Sequence, residues 1–286
     1  MSTTRSVGVS GTSGVGPGGP AQPHSILTLA AAGFLAYYIT VMWHEIFGHG
    51  LAGYLLGARH FILTSTSMFS PDMAAGTRGI TLGGRFVAFA GPLANAVMGI
   101  VIYPIFRAVS RRNGNLTLRY LLWLLAALNF FLGFMYMVFS GIFGVGDYAA
   151  VIAFLPFHAL LRTLEVLVGG LLCAATVRFF APSLAEFSEN LWRLCLVPYV
   201  SATVVFCLTG LRIPNAMHFM LISVIPASLM GQAILVFVTP VARRLRAAPP
   251  SPEAIRTSPL MIAIALLFVV AVYLTAPGAR FTLPQL

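Results

Sequence analysis

The sequence predicts an all-α polytopic membrane protein with about six to seven transmembrane helices and a small surface hairpin after the first span. Composition and the length of the apolar runs carry this prediction. Apolar residues make up 58% of the 286 residues and charged residues only 8%, whereas soluble domains carry about 25% charged residues. The mean hydropathy is +0.90, and the apolar residues form runs of roughly 20, the length that a helix needs to cross a bilayer.

The spans can be placed by that length criterion. Helices are expected near residues 26–56, 84–107, 118–143, 159–181, 194–211, 216–240 and 259–276. The apolar run 148–157 is too short to cross, and is expected to be a re-entrant piece or an extension of a neighbouring helix. Residues 58–83 hold Thr, Ser, Gly and β-branched residues with few charges, which predicts a short hairpin lying at the membrane surface.

The segments outside the spans complete the organisation. Residues 1–25 are rich in Gly, Ser and Pro and are predicted to be a disordered tail before an uncleaved first span. A membrane core is expected over 26–158 and additional transmembrane helices over 159–276. The segment 241–258, rich in Arg and Pro, is predicted to be an extramembrane linker, and 277–286 a C-terminal tail.

The basic residues lie between the apolar runs. All 17 of them are Arg, and the net charge is +10. This placement indicates contact with the anionic headgroups of a lipid bilayer and no binding of nucleic acid. The loops 107–119 and 241–258 are the most basic, and four spans separate them, so both should share one face, which the positive-inside rule makes cytoplasmic. The absence of Lys suggests a GC-rich genome, and we expect a bacterial cell membrane.

The most informative motif is the stretch 44–49, His-Glu-Ile-Phe-Gly-His, inside the first apolar run. Ionisable side chains at that depth are costly, so they indicate a functional site. Two neutral imidazoles and an adjacent carboxylate are the residue types of a zinc hydrolase, in which the histidines bind the metal and the Glu acts as general base.

The spacing of these histidines requires a distorted helix. Residues i and i+5 point about 140° apart in a regular helix, whereas i and i+4 lie within about 40°. A π-bulge would absorb the extra residue, and Gly48 and Gly50 are permissive where a helix is strained. Alternatively, Glu45 and His49 form the ligand pair. His44 would then lie outside the ligand set, and the site would lack its general base.

Asp147 is the best candidate for a third ligand. The chain has only seven acidic residues, and no basic residue lies within ten positions of Asp147 on either side. A lone carboxylate in such surroundings is costly unless a metal or a His neighbours it. By contrast, Glu165 follows Arg162 by three residues and is predicted to form a helix-surface ion pair with it. Asp72 is predicted to be a solvated loop residue.

Three stretches, in order, resemble the site-2 protease family of intramembrane zinc metalloproteases. They are the motif at 44–49, the sequence Phe-Ala-Gly-Pro-Leu-Ala-Asn at 89–95, and the pair Gly146-Asp147. The similarity covers residues 40–150. This chain departs from the family in two places: the family's zinc helix reads H-E-x-x-H, and its aspartate is followed by Gly, whereas here Tyr148 follows.

The resemblance implies a metalloprotease-like core at 26–158 that cleaves peptide bonds in or near the transmembrane segments of a membrane-protein substrate. It implies that Glu45 is the catalytic base and that the Zn²⁺ ligands are His44, His49 and Asp147. The family topology would place the hairpin on the cytoplasmic side, opposite to the side that the Arg count gives. The alternative function is a non-proteolytic membrane scaffold or carrier that retains the fold, with or without a metal.

The other polar residues have several expected roles. The resemblance implies that Asn95 binds exposed substrate backbone, and the alternative is that Asn95 bridges packed helices. The amides Asn129 and Gln232 are also expected to bridge helices. Four histidines are predicted to be solvated or interfacial: His24, His60, His158 and His218. The isolated cysteines are expected to be buried without disulfides: Cys173, Cys195 and Cys207.

Overall fold

The computed structural model describes residues 23–74, 81–112, 114–153, 155–245 and 253–284. It confirms the all-α polytopic architecture. Within the described residues, six helical segments are long and apolar enough to cross a membrane: Ile26–Leu55, Leu82–Arg111, Leu116–Phe143, His158–Ala185, Leu191–Gly210 and Ile225–Leu245. Residues 1–22 of the predicted tail, 75–80 of the hairpin region and 246–252 of the linker lie outside the described residues.

The elements follow one another with short connections. The first half contains α1 (Ile26–Trp43), a π-helical segment (His44–Gly50), α2 (Leu51–Leu55), β1 (His60–Leu63), β2 (Met68–Phe69), α3 (Pro71–Ala74), α4 (Leu82–Arg111), α5 (Leu116–Phe143) and α6 (Asp147–Ile152). The second half contains α7 (His158–Ala185), α8 (Leu191–Gly210), α9 (Ala216–Phe219), a second π-helical segment (Met220–Val224), α10 (Ile225–Gly231), α11 (Ile234–Leu245), α12 (Pro259–Thr275) and β3 (Ala279–Thr282).

Local sequence sets where the long helices begin. A side-chain oxygen at each N-cap accepts a hydrogen bond from a backbone N–H of the first turn, which satisfies a donor that the helix itself cannot pair. These N-caps are Ser25, Thr81, Asn115, Asn190 and Ser258. Helix α5 ends at Gly144, whose φ of 69° is the left-handed conformation that glycine adopts without strain.

Helix α5 forms the centre of the bundle. It packs between α4 and α7 and also contacts α1, and Tyr120, Trp123 and Leu124 on it are fully buried. Helix α4 contributes fewer buried residues and presents Leu93, Val97 and other large apolar side chains outward, as expected for a lipid-facing helix. The metal-site motifs therefore lie on elements that surround the centre of the bundle.

The predicted hairpin is present as part of a larger sheet. Strands β1 and β2 pair antiparallel, and β3, from the predicted C-terminal tail, pairs antiparallel with the other edge of β1. This third strand has a topological consequence. The backbone N–H of Ser258, just before α12, donates to Thr28 at the start of α1, whereas β3, just after α12, lies beside the end of the first span. Helix α12 therefore crosses the layer, and the fold has a seventh crossing, the upper end of the predicted number.

Contacts at the opposite end of the bundle place the Arg-rich loops on one face, as predicted. Arg119 lies 3.9 Å from Glu186, and His24 Nδ1 accepts a hydrogen bond from the backbone N–H of Ile255 at 2.9 Å. His24 is buried, contrary to the prediction that it is solvated. Burial, with the nearby Arg193, lowers the pKa of His24 and keeps it neutral, as its acceptor role requires.

Two predicted spans differ in detail. Residues 216–240 were expected to form one helix, but α9, a π-helical segment, α10 and α11 divide that region. Pro226 lies in the first turn of α10, where its missing N–H is tolerated, and α10 ends at Gly231. The run 148–157 is neither re-entrant nor an extension, because α6 is a separate short helix that begins at Asp147.

The predicted ion pair between Arg162 and Glu165 does not form. Arg162 instead donates to the carbonyls of Gly141 at 2.9 Å and Ile142 at 2.7 Å. These carbonyls belong to the last turn of α5, where helix carbonyls lack intrahelical partners and attract cations. Glu165 is buried, and neither carboxyl oxygen has a hydrogen-bond partner among the described residues.

Candidate metal centre

The π-helical segment brings the two motif histidines together. In a π-helix the backbone hydrogen bonds run from i to i+5, so residues five apart lie above one another. His44 and His49 therefore share one side of the segment, with their Nε2 atoms 3.1 Å apart. The predicted π-bulge is confirmed, and the pairing of these two histidines is the one observed.

A buried amide fixes the orientation of His44. Its Nδ1 lies 2.7 Å from Asn95 Oδ1. The amide nitrogen of Asn95 donates to the carbonyl of Thr40 at 3.4 Å and to Asn129 Oδ1 at 3.1 Å, so Oδ1 is left to accept. Nδ1 of His44 must then carry the proton, and its Nε2 presents a lone pair.

A backbone carbonyl has the same effect on His49. Its Nδ1 lies 2.7 Å from the carbonyl oxygen of Val87 in α4. A carbonyl oxygen only accepts, so Nδ1 of His49 donates and Nε2 is the free nitrogen. Both histidines thus hold the tautomer that metal-binding histidines adopt when the second ring nitrogen is fixed by a hydrogen bond.

Asp147 supplies the third group of the cluster. It begins α6 directly after Gly146, whose φ of 89° allows the chain to turn back toward the π-helical segment. One carboxylate oxygen of Asp147 lies 3.0 Å from His44 Nε2 and the other lies 3.4 Å from His49 Nε2. One ligand atom from each of the three residues can be chosen so that all lie within 4.8 Å of one another.

The distances fit a tetrahedral ion. Two atoms each about 2.05 Å from a tetrahedral zinc ion would be roughly 3.3 Å apart, and the observed separations are 3.0, 3.1 and 3.4 Å. Two lone pairs that face each other at 3.1 Å repel unless positive charge lies between them. Among the described residues, this is the one group of three or more potential ligands that the structure brings together.

Two glycines allow the π-helical segment to approach α4. A Cβ on Gly48 would lie 2.4 Å from the Cα of Gly91, and a Cβ on Gly91 would lie 2.5 Å from His44 Nε2. The expectation that Gly48 relieves strain is therefore replaced by close backbone approach, since its φ is not positive. Gly91 belongs to the stretch 89–95, but its individual role was not predicted.

Glu45 lies next to the cluster and is held by the sheet. Its side chain is buried, and Oε2 accepts a hydrogen bond from the backbone N–H of Met68 at 2.7 Å. Glu45, His49 and Asp147 line one cavity of about 330 Å³, whose far wall comes from α5 and α10. A second cavity of about 360 Å³, between the sheet and α4, also reaches His49. The cluster can therefore be approached from two sides.

Asn95 takes the helix-bridging role and not the substrate-binding one. It is fully buried, and its amide joins α4 to α1, the π-helical segment and α5 through the bonds described above. Asn129 extends the network by donating to Thr40 Oγ1 at 2.8 Å, as expected for a bridging amide. Gln232 also bridges, by donating to Thr203 Oγ1 at 3.3 Å. Thr40 was missed, although it lies four residues before His44.

The remaining polar predictions concern residues away from the cluster. Asp72 is not merely solvated, because it accepts hydrogen bonds from the backbone N–H groups of Arg59 at 2.7 Å and His60 at 2.9 Å. These bonds and the His60 side chain lower the pKa of Asp72 to about 2. His158 contacts the carbonyl of Ala153 and lies outside the cluster. The three cysteines are free, and Cys195 is fully buried.

The fold and the site together define a multi-pass membrane protein with a buried His-His-Asp group beside a buried Glu. No family model, curated protein or solved structure matches this chain.

Proposed function

We propose that this chain is an intramembrane zinc metalloprotease that hydrolyses peptide bonds in or near the transmembrane segments of a membrane-protein substrate. The observation that carries the proposal is the convergence of two Nε2 lone pairs, each fixed by a hydrogen bond at Nδ1, on the carboxylate of Asp147. This donor set suits Zn²⁺. The resemblance to site-2 proteases supports the same function, and we place the protein in a bacterial cell membrane.

The protein groups have separate roles in this proposal. The ion, when bound by His44, His49 and Asp147, would polarise the substrate carbonyl and lower the pKa of a water molecule. Glu45 would take a proton from the attacking water and return it to the leaving amine as the C–N bond breaks. The Met68 N–H fixes one oxygen of Glu45, which holds the carboxylate in the cavity that it shares with His49 and Asp147.

The cavities on the two sides of His49 suit a peptide that passes the site. Each has a volume typical of a small-ligand pocket, and both are lined mainly by apolar side chains. A peptide bond in a transmembrane helix is already hydrogen-bonded within that helix, so the substrate must unwind locally before it can enter. Glu45 favours this function over a scaffold or carrier, because a scaffold does not need a second buried carboxylate beside the ligands.

The test compares Glu45→Gln with wild type and with Glu189→Gln, a matched change of an exposed residue. Each purified protein is co-reconstituted with a library of tagged single-span membrane segments, and the products are identified by mass spectrometry. We expect cleavage by wild type and Glu189→Gln, and loss of at least about a hundredfold in Glu45→Gln with zinc retained. Equal cleavage by Glu45→Gln, or none by a zinc-loaded wild type, would contradict the proposal.

A further inference from the structure

Tyr136 on α5 places a hydroxyl group at the candidate metal centre. Its ring lies against His44, with the ring centroids 5.0 Å apart and the planes at 30°. Tyr136 lines the cavity that also holds Glu45, His49 and Asp147, and it lines a smaller enclosed space beside His44 and Glu45. It therefore borders both the ligands and the general base.

The hydroxyl of Tyr136 makes no hydrogen bond to any described residue, although other tyrosines near the site are paired. Tyr37 donates to the carbonyl of Ala227 at 2.8 Å, and Tyr148 donates to the carbonyl of Gly133 at 3.5 Å. Hydroxyl groups in membrane interiors normally find a partner, because an unpaired one is costly. The free hydroxyl of Tyr136 faces a cavity, so its partner can be a bound molecule.

Peptide hydrolysis creates a demand for such a donor. When water adds to the carbonyl carbon, negative charge develops on the carbonyl oxygen, and a positioned donor stabilises that charge more than it stabilises the ground state. A phenol is a good donor because its pKa of about 10 makes its proton more acidic than that of an aliphatic hydroxyl. Of the described residues, only Tyr136 and Thr66 bring a side-chain hydroxyl without a partner to this part of the cavity wall.

We infer that Tyr136 is a further catalytic residue, which donates a hydrogen bond to the carbonyl oxygen of the scissile peptide as negative charge develops there. The inference rests on the proposed function. Water contributes its oxygen to the carbonyl carbon and a proton to Glu45, and Glu45 returns that proton to the nitrogen as the C–N bond breaks. Tyr136 keeps its own proton throughout, so it acts as a donor and not as an acid.

The test uses a small probe that needs no knowledge of the substrate. Acetohydroxamate binds metal ions through two oxygens, one of them a carbonyl oxygen that can accept a hydrogen bond from the protein. Its affinity is measured by titration into the Co²⁺-loaded full chain, with the visible spectrum as readout. The variant is Tyr136→Phe, which keeps the ring against His44. The controls are Tyr148→Phe, which removes a paired hydroxyl near Asp147, and Thr66→Val.

We expect Tyr136→Phe to retain Co²⁺ and to bind acetohydroxamate about tenfold more weakly than wild type, since one hydrogen bond to a charged acceptor is lost. Both controls should bind within about twofold of wild type. Unchanged affinity in Tyr136→Phe, an equal loss in either control, or loss of Co²⁺ from Tyr136→Phe would overturn the inference alone. A wild type that binds no Co²⁺ would overturn the proposed function and the inference with it.

Discussion

Gly91 shows how one residue without a side chain can make room for a metal site. The imidazoles of His44 and His49 occupy the space beside its Cα, where any other residue would place a Cβ. The same contact brings α4 against the π-helical segment, and α4 also carries the two acceptors that fix the histidine tautomers, Asn95 and the Val87 carbonyl. Three features of the site thus depend on this close approach.

Substitution of Gly91 by Ala should therefore abolish metal binding. The new Cβ would lie 2.5 Å from His44 Nε2 and 2.6 Å from His49 Cε1, so both ligands would have to move. We expect zinc content to fall at least tenfold, by analogy with the loss when ligand orientation is disturbed. Gly170→Ala is the matched control, because a Cβ there would meet nothing within 4 Å. Normal zinc content in Gly91→Ala would show that the packing described here is not required.

The sequence allowed several residue roles to be predicted, and others could not be. His44, His49 and Asp147 were predicted because charged and metal-binding side chains are rare in apolar spans and stand out there. The ion pair of Glu165 with Arg162 was predicted wrongly, because spacing along one helix cannot reveal that α5 ends nearby with carbonyls that attract the guanidinium. The role of Tyr136 was equally hidden, since aromatic residues are common in every span.

At the level of elements, the π-helical segment is the adaptation that makes this motif usable. The prediction of a π-bulge succeeded because the geometry leaves few other ways to bring residues five apart onto one ion. The third strand could not be predicted in the same way. Strand β3 is only four residues long and pairs with β1 more than 200 positions earlier in the chain, and no local pattern indicates such a partner.

Deletion of Phe47 should convert the π-helical segment into a regular helix that still binds metal. The deletion places the two histidines four residues apart, and the following residues keep their orientation because the π-bulge had absorbed one extra residue. Phe47 is half exposed, so its loss costs little packing. We expect zinc content within about twofold of wild type, measured by elemental analysis. Insertion of one Ala after Phe47 is the control and should abolish binding. Loss of zinc in a folded deletion variant would contradict this explanation.

At the scale of the whole molecule, the two ends of the bundle differ in chemistry. One end carries the Arg-rich loops, joined through His24, Ile255 and neighbouring residues. The other end carries the three-stranded sheet, which holds Glu45 through Met68. The shared face of the Arg-rich loops was predictable from the number of spans between them. Which face is cytoplasmic remains a prediction, because the Arg count and the family resemblance favour opposite answers.

Single-cysteine labelling distinguishes these orientations and tests the seventh crossing. Arg256→Cys and Arg280→Cys, in a background with the native cysteines replaced by Ser, flank α12 on either side. In intact cells a membrane-impermeant thiol reagent should label only one of them. The positive-inside rule predicts that Arg280→Cys is labelled, whereas the family resemblance favours Arg256→Cys. Labelling of both positions would contradict the crossing by α12.

The zinc content of the purified full-length protein tests the central claim most directly. Elemental analysis would be applied to wild type and to three variants purified in detergent without chelators: His44→Ala, His49→Ala and Asp147→Ala. We expect about one zinc per chain in wild type and loss of it in each variant, because each residue supplies one of three protein ligands. Absence of metal from wild type, or its retention in all three variants, would contradict the metal centre and the proposed function with it.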